Sequence, residues 1–272
     1  MPLHHRPAVL HFAGRAGDRN AEASFAGARL AAAWGPEVTT VGSPGAALGR
    51  GWADELAAAT PELQLLAERL GETLSAGRTP LIALGRCAAA LATLPVLADR
   101  YPGAAIVWFD AHGDLHTPDT TGSGYLGGLT LAGALGWWDS GLGAGVDPAD
   151  VILVGARDLD PAEQDLIEAG VITRLPVSAS LAADLGAWVA GRPVVVHVDC
   201  DVLEPGAVPV ELPVPAGLSL DQLHDCAVVL AAGDVVAVQV AELELQESSD
   251  DDADAAVRGL TAALAPLLGN PG

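Results

Sequence analysis

Two runs constrain the fold more tightly than any other part of the chain: residues 193–198 (PVVVHV) and 235–240 (VVAVQV). Each carries β-branched side chains at odd and even positions alike, so neither face of the strand can be left in water. Shorter apolar runs at 8–12, 81–84, 104–109 and 151–154 alternate with Ala/Leu-rich helical stretches. Strands that need cover on both faces, separated by helices, predict a parallel α/β sandwich. At 272 residues the chain suits one domain spanning 1–272, and nothing in it reads as a linker. In such sheets ligands bind where strands end at their carboxyl edge, so the residues just after each run are the informative ones.

Those positions are rich in acids and imidazoles. After the run ending at Phe109 come Asp110, His112, Asp114 and His116, each two residues from the last. At least the first would project together where a strand ends. Asp199 and Asp201 follow the 193–198 run, again two apart, and share a side if the strand continues. Four carboxylates and at least one imidazole are costly to desolvate unless a cation holds them. Hard divalent ions such as Mn²⁺ favour oxygen with some nitrogen, and bridging carboxylates can hold two of them. His197 precedes Asp199 by two and leans to the same face in a regular strand. It reads either as a proton-handling group or as a hydrogen-bonded core residue.

The net charge of -22, with Arg the only basic side chain besides His, argues against nucleic acid. No apolar run approaches the roughly 18 residues of a membrane span. The first residues, MPLHHRPAVLHFAG, lack the pattern of a secretory signal, so a cytoplasmic protein is expected. Three cysteines leave one unpaired under any disulfide scheme, so reduced thiols are expected, with Cys200 and Cys226 packing in the core. The acidic stretch 248–256 (SSDDDADAA) reads as the cap of a last helix.

Four segments carry a family resemblance: DAHGDLHTPDTTGSG (110–124), VGARDLDPAE (154–163), DCDVLEP (199–205) and VAELEL (240–245). In this order they resemble the arginase, agmatinase and formiminoglutamase group, the ureohydrolases, from about Leu81 to Glu242. The resemblance implies a three-layer α/β/α sandwich around a mainly parallel sheet of about eight strands. It also implies two Mn²⁺ ions bridged by Asp110 and Asp199, with Asp114 on one and His112 and Asp201 on the other. A hydroxide between the ions would attack the guanidine carbon, and Glu242 would bind the guanidinium. At the far end of the substrate, His116 replaces the family's carboxylate-gripping asparagine, and Thr121 and Ser123 keep its hydroxyls. Asp160 and Glu163 match the acids that receive an α-amino group. Ordinary loop capping accounts equally well for Thr121 and Ser123, and a turn or helix cap for Asp160.

Two departures shape the functional expectation. Where the family writes Gly-Gly-Asp-His-Ser this chain reads LGRCA, which puts Cys87 at the first metal-ligating histidine. Where the family has a proton-shuttling histidine, the chain has Gly127. A thiolate adds negative charge, so the bridging water would be less acidic, and the site holding it would bind Mn²⁺ weakly or accept another metal. His116, His197 or the substrate would then handle the proton. An N-hydroxyguanidine eases both difficulties, because it is far less basic than a guanidine and arrives neutral. The cysteine exchange and the histidine loss, in a lysine-free chain rich in Ala and Arg, resemble ureohydrolases of D-cycloserine biosynthesis, and that resemblance implies a hydrolase of linear amidines converting Nω-hydroxy-L-arginine to L-ornithine and hydroxyurea. Another guanidino or amidino substrate, or a non-catalytic metal-binding relative, are the alternatives. The partner expected is a small guanidino amino acid, and the assembly a monomer or small homo-oligomer.

Overall fold

The computed structural model describes residues 7–246 and 251–269. Eight strands among the described residues form one sheet: β1 (Pro7–Phe12), β2 (Val38–Val41), β3 (Thr79–Gly85), β4 (Ala105–Phe109), β5 (Val151–Val154), β6 (Thr173–Leu175), β7 (Pro193–Asp199) and β8 (Asp234–Ala241). Their order is β2-β1-β3-β8-β7-β4-β5-β6. Every neighbouring pair is parallel. The six apolar runs of the sequence are β1, β3, β4, β5, β7 and β8. The remaining two, β2 (VTTV) and β6 (TRL), lie at the sheet edges, where a short strand with polar side chains meets water and carries no apolar signature.

Helices cover both faces. Alternate residues of β7 divide between two cores: Val194, Val196 and Val198 face one, Val195 the other. The first is sealed by α1 (Glu22–Trp34), α6 (Leu181–Val189), α7 (Leu220–Ala231) and α8 (Asp251–Leu268). The second is sealed by α2 (Trp52–Ser75), α3 (Ala90–Arg100), the short α4 (Thr130–Ala134) and, partly, α5 (Pro161–Glu168). This is the three-layer α/β/α arrangement that two-sided apolar strands require. Cys200 and Cys226 are buried in the first core as free thiols. Asp251, Asp252 and Asp254 do sit in the first turn of α8, whereas Ser248, Ser249 and Asp250 lie outside the described residues. No helix among the described residues is long and apolar enough to cross a membrane.

The loops at the carboxyl edge are tied down from within. Arg157, after β5, points its guanidinium at five carbonyl oxygens. Its Nη1 donates to Gly155 (3.0 Å) and Val202 (3.3 Å). Nη2 donates to Asp201 (3.1 Å) and Val214 (2.7 Å), and Nε to Pro215 (2.9 Å). A planar five-donor fork is the one side chain that can satisfy so many acceptors at once. It joins the turn that follows β7 to residues 214–215. Replacing Arg157 by Met keeps the aliphatic stem but strands these carbonyls, and should lower unfolding free energy by about 2 kcal/mol. Urea denaturation monitored by circular dichroism checks this, and unchanged stability would show that the carbonyls find water instead.

Candidate active site

Four adjacent central strands, β3, β8, β7 and β4, each deliver acid or thiol groups at their carboxyl ends. Cys87 opens a 3-10 turn just after β3, Glu242 follows β8, Asp199 ends β7, and Asp110 follows β4. The geometry differs from simple strand alternation. β4 stops at Phe109, and β7 stops at Asp199 because Asp199 Oδ1 accepts the Asp201 amide (2.8 Å) and starts a 3-10 turn. Asp201 is brought beside Asp110 by that turn, and its Oδ1 accepts the Ala111 amide (3.1 Å). His112 is aimed the same way, its amide donating to Asp110 Oδ1 (2.7 Å) and its Nδ1 lying 3.0 Å from Asp201 Oδ2. Asp114 and Glu242 both adopt left-handed backbone, with φ 53° and 63°. Such backbone costs free energy in a non-glycine residue and persists where the surroundings enforce it. At Glu242 the enforcing contact includes its own amide, which donates to Gly85 O (2.7 Å).

The six residues expected as metal ligands come together. Asp110, His112 and Asp201 place donor atoms within 4.8 Å of one another, as do Cys87, Asp110 and Asp114, and Cys87, Asp199 and Glu242. Asp110 belongs to two of these triads and Cys87 to two, so the donors form one continuous cluster. Burial and mutual repulsion push Asp114 and Asp199 well above the usual carboxylate range, and Asp201 upward as well. Burial pushes Asp110 up too, but the His112 hydrogen bond and charge outweigh it and hold it low. His112, despite burial, is raised to about 12 by Asp110 and Asp201. Burial and Asp199 also raise the Cys87 thiol, which donates to Asp199 Oδ2 (3.0 Å). Asp114 Oδ2 is buried with no hydrogen-bond partner among the described residues. An orphaned carboxylate oxygen inside a cage of oxygen, nitrogen and one sulfur donor fits divalent cations.

Above the cluster opens a cavity of about 280 Å³. His116, Ser123, Asp160 and Glu163 line it, as do Gly127 and Glu242. His116 Nε2 lies 2.9 Å from Asp160 Oδ2 and its Nδ1 3.2 Å from Thr120 Oγ1. Glu163 is largely spent on structure, with Oε1 accepting the Leu115 amide (3.1 Å) and Oε2 the Asp160 amide (3.1 Å). Thr121 closes a loop turn through the Gly124 amide (3.1 Å), and Ser123 accepts the Tyr125 amide (3.2 Å). His197 lies beneath the cluster, not on the cavity wall. It is fully buried, its ring stacks on Trp108 with centroids 3.5 Å apart, and its Nε2 is 3.1 Å from Cys87 Sγ. Burial lowers it to about 3, so it is neutral there.

Three side chains escape sequence reasoning. Trp108, paired in register with His197, donates its indole N–H to Asp110 Oδ2 (3.0 Å). Arg86, 1% exposed, donates to Glu242 Oε2 (2.7 Å), Glu244 Oε1 (2.7 Å) and Asp18 Oδ1 (3.3 Å). Tyr125 fills the space over Gly127, where a Cβ would meet its ring at 2.4 Å. The signal for Arg86 is in the sequence as a charged residue two positions after the apolar run 81–84; Tyr125 has none.

A family model described as Arginase family matches residues 37–265. The chain is 38% identical over 260 residues to the N(omega)-hydroxy-L-arginine amidinohydrolase of Streptomyces lavendulae, covering 94% of each. It is 31% identical over 188 residues to the arginase of Bacillus caldovelox, covering 63% of this chain and 62% of that one. The crystal structure of Entamoeba histolytica arginase in complex with L-ornithine shares the fold, with a TM-score of 0.84 at 19% identity, covering 97% of this chain and 99% of that chain.

A pH prediction follows from the cluster. A carboxyl or imidazole raised on folding binds more protons in the folded state, so its contribution is lost as pH rises. His197, lowered on folding, acts oppositely, but only below its ordinary 6.5. Between about pH 6.5 and 8, His112, raised to about 12, and Glu242, raised by burial to about 7, therefore set the slope, and protein held in chelator should lose stability as pH rises. Mn²⁺ at 100 times its dissociation constant should add about 2.7 kcal/mol. Asp199→Asn should stabilise the cation-free chain while shrinking that gain. Denaturation with chelator or Mn²⁺ at each pH reads all three, and stability that climbs with pH in chelator would contradict the cluster's electrostatics.

Proposed function

The chain belongs to the arginase family and is a hydrolase of amidines, and from that premise we propose that it converts Nω-hydroxy-L-arginine and water to L-ornithine and hydroxyurea. The observation that carries the reading is a carboxylate cluster completed by Cys87 in place of a histidine, below a cavity with polar groups at its other end. Asp110, His112, Asp114, Asp199, Asp201 and Cys87 would hold two Mn²⁺ ions. Two such ions supply water acidified enough to act as a nucleophile near neutral pH. Cys87, a softer donor than Mn²⁺ prefers, makes the position it completes the weaker of the two. His197 and Trp108 keep it in place, His197 against the sulfur and Trp108 against Asp110.

The remaining residues orient the substrate. Glu242 accepts N–H groups from the guanidine and sets its carbon over the cluster, so orientation is settled before reaction. Asp160 receives the α-amino group and His116, beside it, the α-carboxylate. Ser123 contributes a hydroxyl at the same end. Gly127 has no titratable side chain and His197 is walled off from the cavity, which leaves His116 on its wall and the N-hydroxyl of the substrate to handle the proton. The similarity to the Streptomyces lavendulae enzyme supports this substrate over arginine or agmatine.

Mn²⁺-loaded protein incubated in parallel with Nω-hydroxy-L-arginine, L-arginine and agmatine should release hydroxyurea and ornithine at least tenfold faster than urea. Equal rates on the hydroxylated and plain amino acids would overturn the assignment. Asp160→Ala should lower kcat/KM for the α-amino-acid substrate by roughly ten- to a hundredfold, mainly through KM. An unchanged value would mean that the amino group binds elsewhere. Cys87→His should raise Mn²⁺ occupancy, measured by metal analysis after gel filtration, and increase urea release from arginine.

A further inference from the structure

Glu242 faces the cavity with both oxygens already engaged. Oε2 accepts Arg86 Nη1 at 2.7 Å and Oε1 accepts the Cys87 amide at 2.7 Å. Arg86 is 1% exposed and braced by Glu244 and Asp18, so its guanidinium cannot swing away to admit another. Those braces have further partners: Asn20 Nδ2 on Glu244 (2.9 Å) and the Ala16 amide on Asp18 (2.8 Å). Glu211, 3.2 Å from Arg86 Nη1, also pairs with Arg19. The chain therefore carries its own guanidinium on the carboxylate that the functional reading assigns to the substrate's.

We propose that Arg86 is a specificity-determining residue that pre-neutralises Glu242, so that the cavity selects a guanidine without charge; the proposal rests on the function given above. A carboxylate has about four lone-pair sites, and Arg86 with the Cys87 amide uses two. The other two can accept N–H bonds from a neutral N-hydroxyguanidine. A cationic guanidinium would use the same sites while meeting Arg86 across one carboxylate, where like charges repel strongly in a partly desolvated site. Arg86 thus works against arginine and leaves its hydroxylated, less basic counterpart unpenalised. It does so without touching the reacting carbon.

The test uses binding, which is read apart from turnover. L-citrulline is a neutral, uncleaved isostere of the guanidine, and L-arginine is the cation. Titration calorimetry on Mn²⁺-loaded protein should show citrulline binding at least as tightly as arginine. In the paired variant Arg86→Gln/Glu244→Gln, which removes one charge of each sign, the ratio of the two dissociation constants should move at least tenfold toward arginine. Arg86→Lys, which keeps the charge, should preserve the original order. A folded paired variant with an unchanged ratio would overturn the proposal. Should that variant fail to fold, wild-type protein decides: affinity for L-canavanine, whose guanidine loses its proton near neutrality, should rise between about pH 6 and 8.5 relative to citrulline. A flat or falling ratio would overturn it. Hydroxyurea release with no charge discrimination removes Arg86's role alone, whereas charge discrimination without hydroxyurea release removes the Nω-hydroxy-L-arginine assignment alone.

Discussion

Mutual repulsion among buried carboxylates governs this molecule. Asp110, Asp114, Asp199 and Asp201 are held together at the edge of one sheet, where burial and each other's charge raise three of them. Such an assembly opposes folding unless its surroundings are rigid enough to withstand it. The sheet supplies that rigidity. Four neighbouring parallel strands, buried on both faces, fix the points from which the acids leave. Turns stabilised by side chain to backbone bonds then fix their directions.

The same logic explains two costs borne elsewhere. Asp114 and Glu242 occupy left-handed backbone, a conformation that strands and helices would relax if they could. Arg157 gathers carbonyls from loops that would otherwise splay, and Arg86 is buried among four carboxylates. Each is a local expense that serves one geometry at the carboxyl edge. The core of the sheet, by contrast, is mainly aliphatic packing, with few buried polar side chains such as Thr93, which donates to Gln239.

Much of this is legible in the sequence because two-sided burial leaves a mark. Runs such as PVVVHV announce central strands, and the acids just after them announce the edge where chemistry collects. Short edge strands leave no such mark, and β2 and β6 escape for that reason. The cluster is legible in its membership but not in its cause: alternation along a continuing strand suggests the right residues, while turns after Phe109 and Asp199 are what bring them together. Arg86 is marked only as a charge close behind an apolar run and Tyr125 not at all, since their roles depend on which distant groups the topology sets beside them. His197 shows the converse limit. Its parity places it near the cluster, yet only the packing of Trp108 shows that it lies below the cavity floor.

The ring of Tyr125 occupies the volume in which any side chain at position 127 would have to begin. A histidine gained there would collide with the tyrosine, and loss of the tyrosine alone would leave a void over the glycine. The two positions are sterically coupled, so the effect of a substitution at one depends on which side chain stands at the other.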